Sequence, residues 1–108
     1  MKLDIRSLGF ALTEGLRVHL EHSLRAAFRH GRAELVEVQA RLTDLNGPRG
    51  GVDKRCLLRA RYVGGEHAVV IRRDRDLYVA IAQAAEILGE RDDSRRQKAR
   101  RGRRGSPD

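Results

Sequence analysis

Apolar and polar residues alternate along three segments of the chain. In the first segment Leu3 and Ile5 alternate with charged side chains, which is the pattern of a strand with one buried face. The alternation predicts strands over residues 2–7, 34–43 and 55–62, and the segment after the hairpin glycines Gly64 and Gly65 predicts a fourth strand over residues 66–72. The residues expected to face the core are Leu3, Ile5, Val36, Val38, Ala40, Leu42, Cys56, Leu58, Ala60 and Tyr62.

Two other segments repeat their apolar residues at helical spacing. Thr13 is a favourable N-cap with Glu14 in the first turn, and Gly31 is a natural stop, so a helix is predicted over residues 14–30. Asp74 or Asp76 would cap the second helix. The buried stripes are expected to be Leu16, Leu20, Leu24, Ala27 and Phe28 in the first helix, and Leu77, Ile81, Ala84 and Leu88 in the second.

The pattern leaves the end of the second helix open. At about 100° per residue Asp92 would lie along the same stripe as Leu88, so the helix either ends near Gly89 or runs past the edge of the core. From Ser94 onward the chain has no apolar periodicity, which predicts disorder. We therefore expect one domain over residues 1–90 and a basic disordered tail over residues 91–108.

The predicted element order is β-α-β-β-β-α. A crossover connection is almost always right-handed and joins parallel strands, so the first two strands should be parallel. Gly64 and Gly65 mark a tight hairpin and residues 44–51 (DLNGPRGG) form a loop, so the other strands should pair antiparallel. The fold class expected is α+β, a two-layer domain with both helices on one face of a four-stranded sheet.

Charge changes this picture of an ordinary small domain. The 108 residues carry a net charge of +8. Residues 94–108 hold seven Lys or Arg and one Asp, so the segment contributes +6 and the rest of the chain +2. This distribution predicts a polyanionic partner, either nucleic acid or a membrane surface. The longest uncharged apolar stretch, residues 77–85, is too short to span a bilayer, and we expect no membrane partner. With one cysteine and no secretory signal, we expect a cytoplasmic protein.

Catalytic chemistry has little support in the sequence. His19 and His22 lie one turn apart in the first helix, but a metal site needs a third ligand and none has suitable spacing. Cys56 belongs to the inward set of its strand and is expected to be a small core residue. We therefore predict no enzyme activity, no metal, no cofactor and no small-molecule substrate.

The arginines carry the functional signal. They fall on the first helix, on the outward face of the second and third strands, at the junction of the fourth strand with the second helix, and in the tail. With only four aromatic residues, they suit phosphate contacts better than base recognition. A plain solvated face, with Glu21 and Arg25 as an ordinary helical ion pair, is the alternative for the first helix. The candidate RNA-binding residues are Arg25, Arg29, Arg32, Arg41, Arg55, Arg59, Arg61, Arg72, Arg73, Arg75, Arg95, Arg96, Lys98, Arg100 and Arg101.

Two motifs resemble one family. The segment from Thr13 to His30 (TEGLRVHLEHSLRAAFRH) is similar to the first helix of the ribosome hibernation-promoting factor and ribosome-associated inhibitor A family. The residues that match the family's pattern are Thr13, Leu16, Arg17, His19 and Leu20. The start of the second helix, residues 76–81 (DLYVAI), resembles the family's Asp-Leu/Met-Tyr-x-Ala-Ile signature. The resemblance covers roughly residues 1–90 and indicates a short, sigma-54 modulation protein-like member.

The resemblance implies a stress-response factor, monomeric when free, that docks in the channel of the small ribosomal subunit and blocks translation. Members usually continue the second helix with Lys and Arg, whereas here the stretch from Gly89 to Asp93 is acidic. This predicts weaker ribosome binding, or a contact moved from a rigid helix to a flexible arm. The alternatives are a module for structured RNA away from the ribosome, an enzyme or metal-binding domain, and a diverged relative that binds only proteins.

Overall fold

The computed structural model describes residues 2–31, 33–46 and 51–104, with only the backbone described for residues 100–104. The elements are β1 (Lys2–Leu8), α1 (Glu14–Ala27), β2 (Leu35–Asp44), β3 (Lys54–Tyr62), β4 (His67–Asp74) and α2 (Leu77–Arg104). The strands form one sheet in the order β1-β2-β3-β4, with β1 parallel to β2 and the other neighbours antiparallel. The predicted fold class and element order are confirmed.

Helix α1 begins as the sequence predicts. The Thr13 hydroxyl accepts a 3.1 Å hydrogen bond from the backbone N–H of Leu16, so one of the helix's first unpaired donors is satisfied. The helix ends at Ala27, three residues before the predicted end, and the chain turns through residues 28–30. Gly31 follows at φ +116°, a conformation that favours glycine.

One core joins both helices to the inward face of the sheet. Leu20, Leu24, Ile81 and Leu88 have no exposed surface, and the remaining predicted helix residues Leu16, Phe28, Leu77 and Ala84 are also buried, while Ala27 is partly buried. Because residues of both helices pack on the same side of the strands, the other face of the sheet is left without a helix. The buried stripes were predicted from periodicity alone.

Strand β2 departs from its predicted alternation at one residue. The pairing with β3 shifts between Leu35 and Glu37, which makes Val36 the extra residue of a β-bulge. As a result Leu35 joins the core at 6% exposure and Val36 is only half-buried. The inclusion of Val36 in the inward set was therefore wrong, since a bulge reverses the side on which the preceding residues lie.

Helix α2 does not end near Gly89, which was one of the two predicted possibilities, but continues past the edge of the core. A Cβ atom on Gly89 would lie 2.7 Å from the backbone oxygen of Ala27. The glycine therefore lets α2 cross α1 at close range, and the helix continues through it.

The structure also differs from the predicted disordered tail, because α2 runs as a helix to Arg104. Asp92 is buried at 3% exposure and accepts a 2.9 Å hydrogen bond from the hydroxyl of Tyr62. Arg95 lies 4.0 Å above the centre of the Tyr62 ring, and Arg96 forms a 3.1 Å ion pair with Asp92. Polar side chains thus hold this part of the helix where the sequence offers no apolar stripe. Residues 105–108 lie outside the described part of the chain.

Candidate nucleic-acid interface

The helix-free side of the sheet is a basic surface, which we call the open face. Its side chains follow from the strand registers, in which Arg59 lies between Gln39 and Val69, and Arg55 between Thr43 and Arg73. Among the described residues the open face carries seven cations against two carboxylates. The cations are Lys2, Arg6, Arg41, Arg55, Arg59, Arg61 and Arg73, and the carboxylates are Asp4 and Glu37. Four arginines predicted to lie together, Arg41, Arg55, Arg59 and Arg61, do share this face.

These arginines differ in how strongly neighbouring groups hold them. The Arg41 guanidinium lies 3.3 Å from the Asp4 carboxylate and also donates to two backbone oxygens, so its position is fixed between β1 and β2. Arg61 is 3.6 Å from a Glu37 oxygen. The Arg59 Nε is 3.3 Å from the Nδ1 of His67 and its side chain is exposed. Arg59 therefore keeps its charge available to a partner.

Arg55 carries a buried donor that nothing satisfies within the described residues. Its Nε has no hydrogen-bond partner there and almost no exposed surface. A buried unpaired N–H is unfavourable and is usually explained by a role or a ligand. The adjacent Arg73 is exposed on the same face, so the two guanidinium groups mark one corner of the open face.

Two cations of the open face, Lys2 and Arg6, were missed as candidate contacts. Arg6 pairs in register with Arg41 and its side chain is 72% exposed, while Lys2 pairs with Glu37. Both alternate with Leu3 and Ile5 along β1, which was the signal that places them on the outward side. The sequence predicted that β1 and β2 run parallel but not their register, which places Arg6 beside Arg41 and Lys2 beside Glu37.

Arg25 on α1 and Arg29 in the turn that follows the helix lie on a different side of the molecule. Both are exposed, and the predicted pair of Arg25 with Glu21 is not formed, since Glu21 lies 2.9 Å from Arg17 instead. Arg29 lines a groove between the helices whose other charged residues are Glu86, Glu90 and Asp93. The first helix and the sheet therefore offer two separate sets of cations. The candidate Arg32 lies outside the described residues.

The cluster predicted where β4 meets α2 is divided between the two faces of the sheet. Arg73 lies on the open face, but Arg72 pairs in register with the buried Cys56 and so faces the helix layer, where its Nε is 3.4 Å from the Oε1 of Gln83. Arg75 lies exposed in the turn before α2. Arg72 and Arg73 thus point to opposite sides, as consecutive strand residues do.

The predicted tail cations also separate into two kinds. Arg95 forms ion pairs with Glu34 at 3.0 Å and Glu66 at 3.1 Å, and Arg96 donates to the backbone oxygens of His30 and Gly31. These contacts attach α2 to the rest of the domain. Lys98 is exposed. The side chains of the other two candidates, Arg100 and Arg101, lie outside the described part of the chain.

The histidine and cysteine chemistry has structural explanations. The Nε2 of His19 is 2.9 Å from the backbone oxygen of Tyr78, and the two rings are 5.0 Å apart, so the two sequence motifs meet where α1 contacts α2. Burial raises the pKa of the Cys56 thiol to about 12, which keeps it protonated and unreactive. Among the described residues, no three His, Cys, Asp or Glu side chains are grouped to hold a metal ion.

Within the same residues, no helix has both the length and the apolar character needed to cross a membrane.

Comparison with known proteins gives the family. The sequence profile of the sigma 54 modulation protein / S30EA ribosomal protein family matches residues 3–100. The fold is similar to that of the Protein Y N-terminal domain from Thermus thermophilus, with 24% identity over 84% of this chain and 94% of that one and a TM-score of 0.69. It is also similar to a ribosomal subunit interface protein from Coxiella burnetii, with 13% identity over 90% of this chain and 99% of that one and a TM-score of 0.77. A search of curated protein sequences gives no significant match. Since the profile covers most of its length, the chain belongs to the sigma 54 modulation protein / S30EA ribosomal protein family.

Proposed function

We propose that this protein is a cytoplasmic ribosome hibernation factor, which binds the small ribosomal subunit and inhibits translation without catalysing a reaction. Family membership supports an association with the ribosome. The open face supports the mode of binding, because seven cations against two carboxylates form a surface suited to a polyanion. Arginines spread over a sheet contact phosphates of folded RNA more readily than the edges of paired bases.

Exposed arginines on two sides of the domain suit a binding site that surrounds the protein. The open face and the pair Arg25 and Arg29 lie on different layers of the domain, so a flat partner would contact only one of them. A channel lined by ribosomal RNA can contact both. A protein lodged in the channel between the subunit's head and body would overlap the path of messenger RNA, which is how we expect it to inhibit translation.

Sedimentation through a sucrose gradient tests the proposal. The wild-type protein should travel with small subunits or whole ribosomes, whereas a general RNA-binding module would spread through every RNA-containing fraction. A translation reaction supplied with the purified protein should slow as the ribosomes become occupied. Absence of the protein from the ribosomal fractions at low salt would contradict the proposal.

Two double variants with the same change of charge compare the two sides. Arg59→Glu with Arg73→Glu alters the open face, and Arg25→Glu with Arg29→Glu alters the end of α1 and the turn after it. All four side chains are exposed, so both proteins should fold. We expect both to leave the ribosomal fractions at lower salt than the wild type does. If only the first variant is affected, α1 is not part of the interface.

A further inference from the structure

A cavity of about 370 Å³ opens where the first turns of both helices meet the ends of β2 and β3. Its volume falls within the range of small-ligand sites, about 300–1,000 Å³. It lies beside Arg75, at the end of the molecule where β4 passes into α2. The lining residues are Phe10, Leu16, Asp44, Lys54, Arg75, Asp76, Leu77 and Tyr78.

The two accessible phenyl and phenol rings of the protein both line this cavity. Phe28 and Tyr62 are buried at 3% and 2% exposure, whereas Tyr78 is 43% exposed and Phe10 is half-buried. Since the chain has two Phe, two Tyr and no Trp, this placement brings its accessible Phe and Tyr rings together in one place. Base stacking on aromatic side chains is the usual way in which proteins hold unpaired nucleotides.

The local backbone fixes Phe10 on one side of the cavity. The Ser7 hydroxyl donates a 3.0 Å hydrogen bond to the backbone oxygen of Phe10. Gly9 adopts φ +92°, and a Cβ atom there would lie 2.5 Å from the backbone oxygen of Asp44. The loop after β1 is therefore drawn against the end of β2, and it carries Phe10 to the cavity.

Hydrogen bonds also hold the backbone of Tyr78 on the other side of the cavity. The Asp76 carboxylate accepts a 2.9 Å hydrogen bond from the backbone N–H of Tyr78, and His19 binds the Tyr78 backbone oxygen. A Cβ atom on Gly15 would lie 2.8 Å from the Tyr78 hydroxyl, so the glycine makes room for the ring. Residues of both helix motifs thus converge on the placement of Tyr78.

The charges around the cavity favour a neutral ligand with polar edges. Lys54 lies 3.1 Å from the Asp44 carboxylate, and Arg75 adjoins Asp76, so two cations and two carboxylates balance along the lining. A phosphate alone would gain little from such a balance. A nucleobase is flat and neutral, and its amino groups and carbonyl oxygens match carboxylate and ammonium partners.

We propose that this cavity binds one unstacked base of a single-stranded segment of RNA against Phe10 and Tyr78, with Arg75 on the adjoining phosphate. The proposal rests on the ribosomal function above and adds a base contact to its phosphate contacts. It gives this mostly electrostatic interface one point at which a flipped or unpaired nucleotide fixes the register.

Fluorescence tests the position of the base directly, because the chain contains no tryptophan. Tyr78→Trp places a single indole in the cavity, and Val63→Trp places one at the exposed turn between β3 and β4 as the control. When purified small subunits are added, a base stacked in the cavity should quench the first variant and leave the second unchanged. Normal binding of Tyr78→Trp with no quenching would overturn the proposal.

Affinity measured at several salt concentrations gives a second test, because losing a base contact lowers affinity without changing its salt dependence. Phe10→Leu and Tyr78→Leu keep apolar contacts but remove the stacking surfaces. Each should weaken binding to small subunits by roughly 5- to 150-fold, the usual effect of losing one stacked base, while the slope of log K against log salt stays at the wild-type value. Wild-type affinity in both correctly folded variants would overturn the base site and leave the ribosomal proposal standing. Failure of the wild-type protein itself to bind subunits would overturn both.

Discussion

The hydroxyl of Tyr62 on β3 donates a 2.9 Å hydrogen bond to the carboxylate of Asp92 on α2, in a position where both side chains are almost wholly buried. Asp92 also pairs with Arg96 at 3.1 Å. A buried carboxylate is tolerated only with such partners. The contact fixes the direction in which α2 leaves the domain, and so connects the fold to the basic residues that follow.

Removing one partner of this pair should destabilise the domain. Asp92→Ala leaves the buried Tyr62 hydroxyl without its acceptor and removes the ion pair with Arg96, so we expect the free energy of unfolding to fall by about 1–3 kcal/mol. Tyr62→Phe should cost less, because Asp92 keeps its ion pair with Arg96. Urea unfolding of both single variants and the double variant gives the coupling energy, and strictly additive effects would show that the hydrogen bond contributes nothing.

Two truncations separate the anchored part of α2 from the part beyond it. A chain ending at Gln97 keeps the contacts of Arg95 and Arg96 and should melt like the full-length protein. A chain ending at Asp93 loses the ion pairs to Glu34 and Glu66 and the contact with the Tyr62 ring. It should lose about 1–2 kcal/mol of stability, since each such exposed contact is weak. Equal melting temperatures for both truncations would show that the helix is not anchored.

Gly89→Ala tests the crossing of the two helices. Alanine favours a helix by about 1 kcal/mol over glycine at an exposed site. Here its Cβ would lie 2.7 Å from the backbone oxygen of Ala27, so the helices must separate. We expect a net loss of about 1–3 kcal/mol, as overpacked cores show. Ser94→Ala, at an exposed position of the same helix, is the control, and a stabilised Gly89→Ala protein would contradict the close approach.

The buried thiol predicts a loss of stability in alkaline solution. The pKa of Cys56 is raised from 9.0 to about 12 by burial, so above pH 9 the unfolded chain releases this proton while the folded chain retains it. The stabilising contribution of the neutral thiol is complete below pH 9 and decreases as the pH rises towards 12, by up to about 1.4 kcal/mol per pH unit. The difference in unfolding free energy between wild type and Cys56→Ala should therefore shrink between pH 8 and pH 10.5. A difference independent of pH would contradict the shift.

The spacing of apolar residues predicted most of the fold. The buried stripes of α1 and α2, the four strands and the parallel first pair all follow from apolar spacing and chain handedness. The bulge at Val36 and the close approach at Gly89 depend on contacts between elements distant in sequence, which one strand or helix considered alone does not show. The continuation of α2 was missed for a related reason, because it is held by Tyr62 and by backbone oxygens near His30 rather than by an apolar stripe.

The candidate interface was predictable by residue type but not by arrangement. Alternation placed Arg55, Arg59 and Arg61 on the outward side of one strand. Only the registers show that β1 adds Arg6 to the same face and that Arg72 is turned away from it. Arg95 and Arg96 are residues of the type that contacts nucleic acid. Their carboxylate and backbone partners within the domain nevertheless give them a structural role.

The proposed binding to ribosomal RNA depends on charge at the open face, and a salt titration measures that dependence most directly. Wild-type protein is titrated against purified small subunits at several salt concentrations, beside Arg59→Glu with Arg73→Glu. For the wild type, log K should fall linearly with log salt, with a slope of about 0.7–0.9 for each phosphate contacted. The double variant should bind more weakly and with a slope smaller by about two such contacts. Equal affinities and equal slopes for the two proteins would contradict a phosphate-binding role for the open face.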